Sequence, residues 1–134
     1  MRKLFCLVTI LTLFCRTVVY AEVIRPLYIE ADRVSVTLLI DTDGTATCRG
    51  TVAAKHINTT THLTLSLLCS SDGQTWHEVN SWSATGSGLL GVSIEKTTSI
   101  EKGYQYVVCA EGDLFDYSGN LLESVSKTSS VKSF

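Results

Sequence analysis

From Val34 onward, apolar and polar residues alternate in short runs, and a turn signal breaks the rhythm about every ten positions. Successive side chains of an extended strand point to opposite faces, so this period of two buries one face and wets the other. Val34–Ile40 alternates and stops at Asp41-Thr-Asp-Gly44, and Thr45–Lys55 resumes with Ala46, Cys48, Gly50 and Val52 on one face. A polar loop from His56 to His62 follows, then Leu63, Leu65, Leu67 and Cys69 alternate with Thr64, Ser66 and Ser70. Asp72-Gly73 marks a hairpin, because glycine accepts the positive φ of a primed turn. The return strand, Thr75–Ala84, carries Trp76 and Trp82; Gly86–Gly91 forms a loop. Val92–Ile100, Tyr104–Glu111 and Leu121–Thr128 complete the set, separated by Glu101-Lys-Gly103 and Tyr117-Ser-Gly-Asn120. About seven short strands with polar Ser/Thr faces predict an all-β fold, an antiparallel two-sheet sandwich of immunoglobulin-like type, with a closed barrel as the alternative.

The first 21 residues read as an export leader rather than as part of that fold. Arg2 and Lys3 precede an apolar run from Leu4 to Cys15, and Val19 and Ala21 place small residues at −3 and −1 of a cleavage point before Glu22. Twelve apolar positions fall short of the ~20 a membrane-spanning helix needs, and extending the run would bury Arg16. Bulky Phe14 before Cys15 argues against a lipoprotein leader. Cleavage leaves residues 22–134 as a single secreted domain, with no membrane insertion afterwards. It also removes three of the 11 basic residues and none of the 13 acidic ones, so the net charge moves from −2 to −5. The remaining Lys and Arg are scattered singly, which argues against nucleic acid as a partner.

Losing the leader discards Cys6 and Cys15 and leaves Cys48, Cys69 and Cys109 in an oxidising compartment. Cys48 and Cys69 share faces with inward-pointing residues, and each lies about seven residues from the His56–His62 loop. A Cys48–Cys69 disulfide is therefore expected, with Cys69–Cys109 and Cys48–Cys109 as alternatives. Cys109 shares its face with Gln105 and Glu111, so it is expected as an outward free thiol able to link two copies. The immunoglobulin pairing, Cys48 with Cys109, is resisted by Val107, which stands where a corner tyrosine would precede the second cysteine.

No catalytic apparatus stands out, and no cofactor or metal site is expected. His56, His62 and His77 lack cysteines or acids at zinc-ligand spacing. Asp41 and Asp43 read as turn chemistry, since one tetrapeptide cannot supply the oxygens calcium requires. Ser70-Ser-Asp-Gly-Gln-Thr-Trp76 resembles the Asp-box hairpin of sialidases and other carbohydrate-handling proteins, one residue short between Asp72 and Gly73. Even intact, that box braces a turn over its tryptophan. Trp76 and Trp82 lie six apart on one strand, hence on one face. If that face is outward, they form a platform for sugar rings; if inward, they anchor the core. Asn58-Thr-Thr60 matches a glycosylation sequon, read as chance for a bacterial chain.

Gly44-Thr-Ala-Thr-Cys48, the Trp76-(x)5-Trp82-Ser83 arm, Lys102-Gly-Tyr-Gln-Tyr-Val107 and Asp116-Tyr-Ser-Gly-Asn-Leu-Leu-Glu-Ser124 together resemble a family of small exported β-sandwich proteins. The family occurs in Gram-positive, largely gut-dwelling bacteria, and its role is uncharacterised. The resemblance implies export, a bacterial source and a sandwich, and supplies no catalytic residues. The expectation is a secreted, non-enzymatic interaction module that meets an extracellular protein or glycan, with a carbohydrate-binding module using Trp76 and Trp82 as the second reading.

Overall fold

The computed structural model describes residues 28–134; the leader and its cleavage point between Ala21 and Glu22 lie outside the described residues. The chain forms β1 (Ala31–Ile40), β2 (Thr45–Ala54), β3 (Thr60–Ser70), β4 (His77–Ser87), β5 (Val92–Ser99), β6 (Gln105–Phe115) and β7 (Leu121–Thr128). A two-residue β8 (Lys132–Ser133) pairs with the start of β6. One sheet has the order β1-β2-β5 and the other β4-β3-β6-β7, with every pairing antiparallel. The seven expected strands are present. Because the chain crosses between sheets after β2, β4 and β5, it closes a Greek key, and the two-sheet sandwich of immunoglobulin-like type is realised.

The inner faces interlock into one core. Leu38 of β1, Ala46, Cys48 and Val52 of β2, and Val92 and Ile94 of β5 meet Leu63, Leu65 and Leu67 of β3. Tyr106, Val108, Ala110 and Leu114 of β6 and Val125 of β7 close the same layer. Glycines set the level at which the sheets meet: a methyl on Gly50 would stand 2.7 Å from Leu65 Cδ1, and one on Gly112 would stand 3.0 Å from Val52 Cγ2. A second, smaller cluster lies on the opposite side of the larger sheet, where Leu68, Trp76, Val107 and Cys109 pack together.

The immunoglobulin likeness includes a corner tyrosine, displaced by one residue from its expected place. The Tyr106 hydroxyl donates to the Glu101 carbonyl at 2.6 Å and accepts from the Glu101 N–H at 3.0 Å, tying the start of β6 to the β5–β6 turn. Two residues on, Val108 occupies the inward position, while Cys109 faces the other side.

Candidate interaction surface

Connections gather at the two ends of the sandwich. At one end lie the entry to β1, the β2–β3 loop (55–59), the β4–β5 loop (88–91) and the β6–β7 loop (116–120). Thr60 pairs with both Ser87 and Phe115, so the last three loops stand side by side. Their apolar residues are unusually bare: Ile57 is 72% exposed, Leu89 57%, Leu90 88% and Tyr117 86%. Ile29, Leu121 and Leu122 extend the same end.

The loops that hold these side chains are firmly built. Gly88 N–H donates to the Thr59 carbonyl at 2.9 Å, and Gly91 N–H donates to Gly88 at 3.2 Å, closing a turn with Leu89 and Leu90 at its corners. Gly91 has φ +66°, and a methyl there would run into the Val52 carbonyl and the Ala53 Cα. Only glycine lets this turn lie so close to β2, and its two leucines are left pointing to solvent. Across the end, Asp116 Oδ1 accepts from the N–H groups of Ser118 and Asn120, both at 2.9 Å, and fixes the turn that carries Tyr117. These bonds pull the Asp116 carboxyl below its ordinary range, the Asn120 N–H most strongly. The Glu123 carboxylate accepts from the backbone of Ile29, Glu30 and Ala31, and Lys55 Nζ donates to the Tyr28 carbonyl at 2.8 Å.

The other end holds the box-like turn and the Asp41–Gly44 hairpin that the sequence marks. Asp72 Oδ1 accepts from the Thr75 and Gln74 N–H groups at 2.8 Å and from Ser70 Oγ at 2.9 Å, while Ser70 Oγ accepts from Gly73 at 2.8 Å. The box-like turn therefore acts as a brace, and these donors, Thr75 first, hold the Asp72 carboxyl down to about 2. Asp43 likewise caps its own hairpin by accepting from Thr45 N–H at 3.0 Å.

Trp76 and Trp82 do not share a face, so neither the outward platform nor the common inward anchor is formed. Leu67 pairs with Asn80 but Leu68 pairs with Glu78, which leaves Val79 as an extra residue in β4. Such a bulge reverses the alternation beyond it. Trp82 faces the main core, half-buried, and Trp76 lies on the far side of the sheet, only 8% exposed.

The cysteine expectations are corrected as well. No disulfide joins Cys48, Cys69 and Cys109. Cys48 and Cys69 do point inward, but β3 begins at Thr60 rather than Leu63, which shortens the loop before it. Cys48 lies six residues before the end of β2 and Cys69 nine after the start of β3. With Gly50 against Leu65, Cys48 stands level with Leu67, two residues short of Cys69. Burial pushes the Cys48 thiol up to about 11, and burial with the Glu101 charge raises Cys69, so both stay protonated near neutrality. Cys109 does lie on the outer side of its sheet, as parity required. Yet Trp76, Leu68 and Val107 leave it 1% exposed, closed to a second copy.

Two clefts also lie at this end. One of about 510 Å³ is lined by Cys69, His77, Glu101, Tyr104 and Tyr106 among others. The other, of about 580 Å³, is lined by Lys102, Lys132, Leu38, Ile40 and Phe134 among others. Among the described residues, no group of three or more His, Cys, Asp or Glu is placed to hold a metal ion. The sequence places Leu89, Leu90 and Tyr117 in loops and turns but does not mark them, or Ile57, as a surface. The visible signal was a Leu-Leu pair framed by glycines in a loop, where no strand face exists to bury it.

No family model and no curated protein matches the chain. Among solved structures it is similar to R. palustris CsgH, at 8% identity and a TM-score of 0.41 over 72% of this chain and 90% of that one. It is also similar to the sensor domain of the anti-sigma factor RsgI4 of Pseudobacteroides cellulosolvens, at 12% identity and a TM-score of 0.37 over 72% and 93% of the two chains. A third is Bacteroides uniformis β-glucuronidase 3, at 18% identity and a TM-score of 0.39 over 79% of this chain; the match spans only 12% of that enzyme's length.

Proposed function

We propose that the chain is exported, that its leader is removed between Ala21 and Glu22, and that the sandwich works outside the cell as a non-enzymatic interaction module whose contact surface is the loop end. The observation that carries this reading is the exposure of Ile57, Leu89, Leu90 and Tyr117 on three neighbouring loops of one end. Single exposed apolar residues are ordinary, but a group of large ones gathered together marks a contact surface. The fold does not require them there, since the turns close through backbone bonds and glycines. Export is supported by the charged start, the apolar run and the small residues before Glu22, and by the resemblance to an exported bacterial family.

The test offers labelled protein from the culture medium back to the producing cells and measures what they retain. L89S/L90S/Y117S should lower binding about tenfold or more, as loss of anchor side chains does at other interfaces. L39S/V131S, two exposed apolar positions towards the other end, should bind like the parent. Equal binding by all three proteins would rule out the loop end as the contact surface. N-terminal sequencing of the medium protein should begin at Glu22.

A further inference from the structure

We infer that the free edge of β1 is an interface between two copies of this chain, which pair their β1 strands antiparallel about a twofold axis at Thr37. This contact is separate from the loop end and does not rest on it. The first argument is which backbone groups β1 leaves unpaired. Asp41 N–H donates to the Thr45 carbonyl at 2.9 Å, and antiparallel bonds recur at every second residue. Leu39, Thr37 and Ser35 therefore turn their N–H and C=O groups to β2, while Val34, Val36, Leu38 and Ile40 turn theirs away. Among the described residues, β2 is the only strand paired with β1.

The second argument is that the other long edges are guarded and this one is not. Sheets block unwanted pairing with bulges, and with charges on the core-facing side of an edge strand. β4 has its bulge at Val79. β5 carries Lys96 opposite buried Cys48, hence on the core-facing side. β7 carries Lys127 opposite buried Ala110 and Glu123 opposite buried Leu114, with a register shift at its start. From position 34 to 40, β1 keeps a regular register, has no proline, and places only apolar residues on its core-facing side. The cleft of about 580 Å³ opens against residues 38–42, which leaves room beside the edge. Leu38 lines that cleft yet is only 3% exposed, so little water meets its unpaired groups.

Register names the occupant. One alignment alone pairs the four outward residues with one another: Val34 with Ile40 and Val36 with Leu38, with Thr37 opposite Thr37. It sets Ser35 opposite Leu39 and Arg33 opposite Asp41, twice by symmetry. Arg33 and Asp41 are both exposed, and among the described residues neither has an ion-pair partner within its own chain. Opposite charges directly across a pair of strands favour that pairing, and here they make the edge complementary to itself. On the other face the apolar row runs on from one copy into the next. Antiparallel pairing sends the two loop ends in opposite directions, so the pair can bridge two surfaces. One surface meets a single loop end whether or not the chain is paired.

The test is sedimentation equilibrium, over a dilution series, on protein purified from the culture medium. The parent should associate to a dimer. R33E sets two anions face to face and D41K two cations, and each should weaken the dimer about tenfold or more. The exchange R33E/D41K restores opposite charges and should recover most of the parent's association. Both positions are exposed, so the urea midpoints should stay near the parent's. Thr37→Cys should give a disulfide-linked dimer on mild oxidation, because facing residues of a non-bonded pair stand about 4.5 Å apart at Cα, within disulfide reach. Thr97→Cys, on the guarded edge of β5, should not, and the parent measures any background from the native cysteines. L89S/L90S should leave the dimer unchanged. A parent that stays monomeric at every concentration overturns the inference. So does a dimer indifferent to R33E and D41K, or one lost with L89S/L90S, since either places the contact elsewhere.

Discussion

Asp72 keeps its turn only while its carboxylate can accept three hydrogen bonds, from Thr75, Gln74 and Ser70. Its folded pKa, about 2, lies below the ordinary 3.8. The stability it contributes is therefore complete above the unfolded value and is lost as pH falls through about 2. Asp72→Asn retains an acceptor oxygen but loses the charge. It should be less stable than the parent at pH 7 by urea titration, and most of that gap should have gone at pH 2. A gap of the same size at both pH values would show that the charge is not what holds the turn. This residue was legible from Ser70-Ser-Asp-Gly because the chemistry is local, with donors and acceptor within five positions. Tyr106 was not: its partner is Glu101, and keying the immunoglobulin likeness to Cys109 placed the corner one residue too late. The inward position belongs to Val108, a distinction fixed by pairing across strands rather than by neighbours in sequence.

At the scale of elements, the strands were readable and their relative levels were not. Alternation located β2, β5 and β7 to within a residue of their ends, because each has one face in a common core, but began β1 at Val34 instead of Ala31 and stopped β6 at Glu111 instead of Phe115. It failed at β4, where Val79 adds a residue without any mark in the sequence. The same blindness to register placed Cys48 and Cys69 at one height, since counting from a loop presumes where that loop ends. The bulge makes a counter-intuitive prediction. With Val79 deleted, Trp76 and Trp82 would be five apart, and an unbroken alternation would then put them on opposite faces, where they already lie. Deleting this exposed residue should therefore join Leu67↔Asn80 to Leu68↔Glu78 in a regular ladder. It should leave tryptophan emission and near-ultraviolet dichroism close to the parent's, and change stability by about 1 kcal/mol or less. A red-shifted emission, reporting a tryptophan driven into water, would show that the bulge is required.

For the whole molecule, the division between a packed sandwich and a bare loop end predicts that stability and binding can be changed separately. Leu89 and Leu90 project from the fold, and the turn beneath them is set by Gly88, Gly91 and Thr59. L89S/L90S should thus leave the urea midpoint within about 0.5 kcal/mol of the parent, as exposed substitutions generally do, while raising solubility by removing an apolar patch. Gly91→Ala makes the opposite change: it leaves the leucines in place and drives a methyl into the Val52 carbonyl at positive φ. It should cost about 2 kcal/mol or more, through overpacking and backbone strain together. If L89S/L90S were instead as destabilising as Gly91→Ala, the leucines would be structural, and their exposure would cease to argue for a partner. Stability retained with cell binding lost is the pattern that a contact surface demands. It is also the pattern that keeps the loss of binding from being mistaken for unfolding.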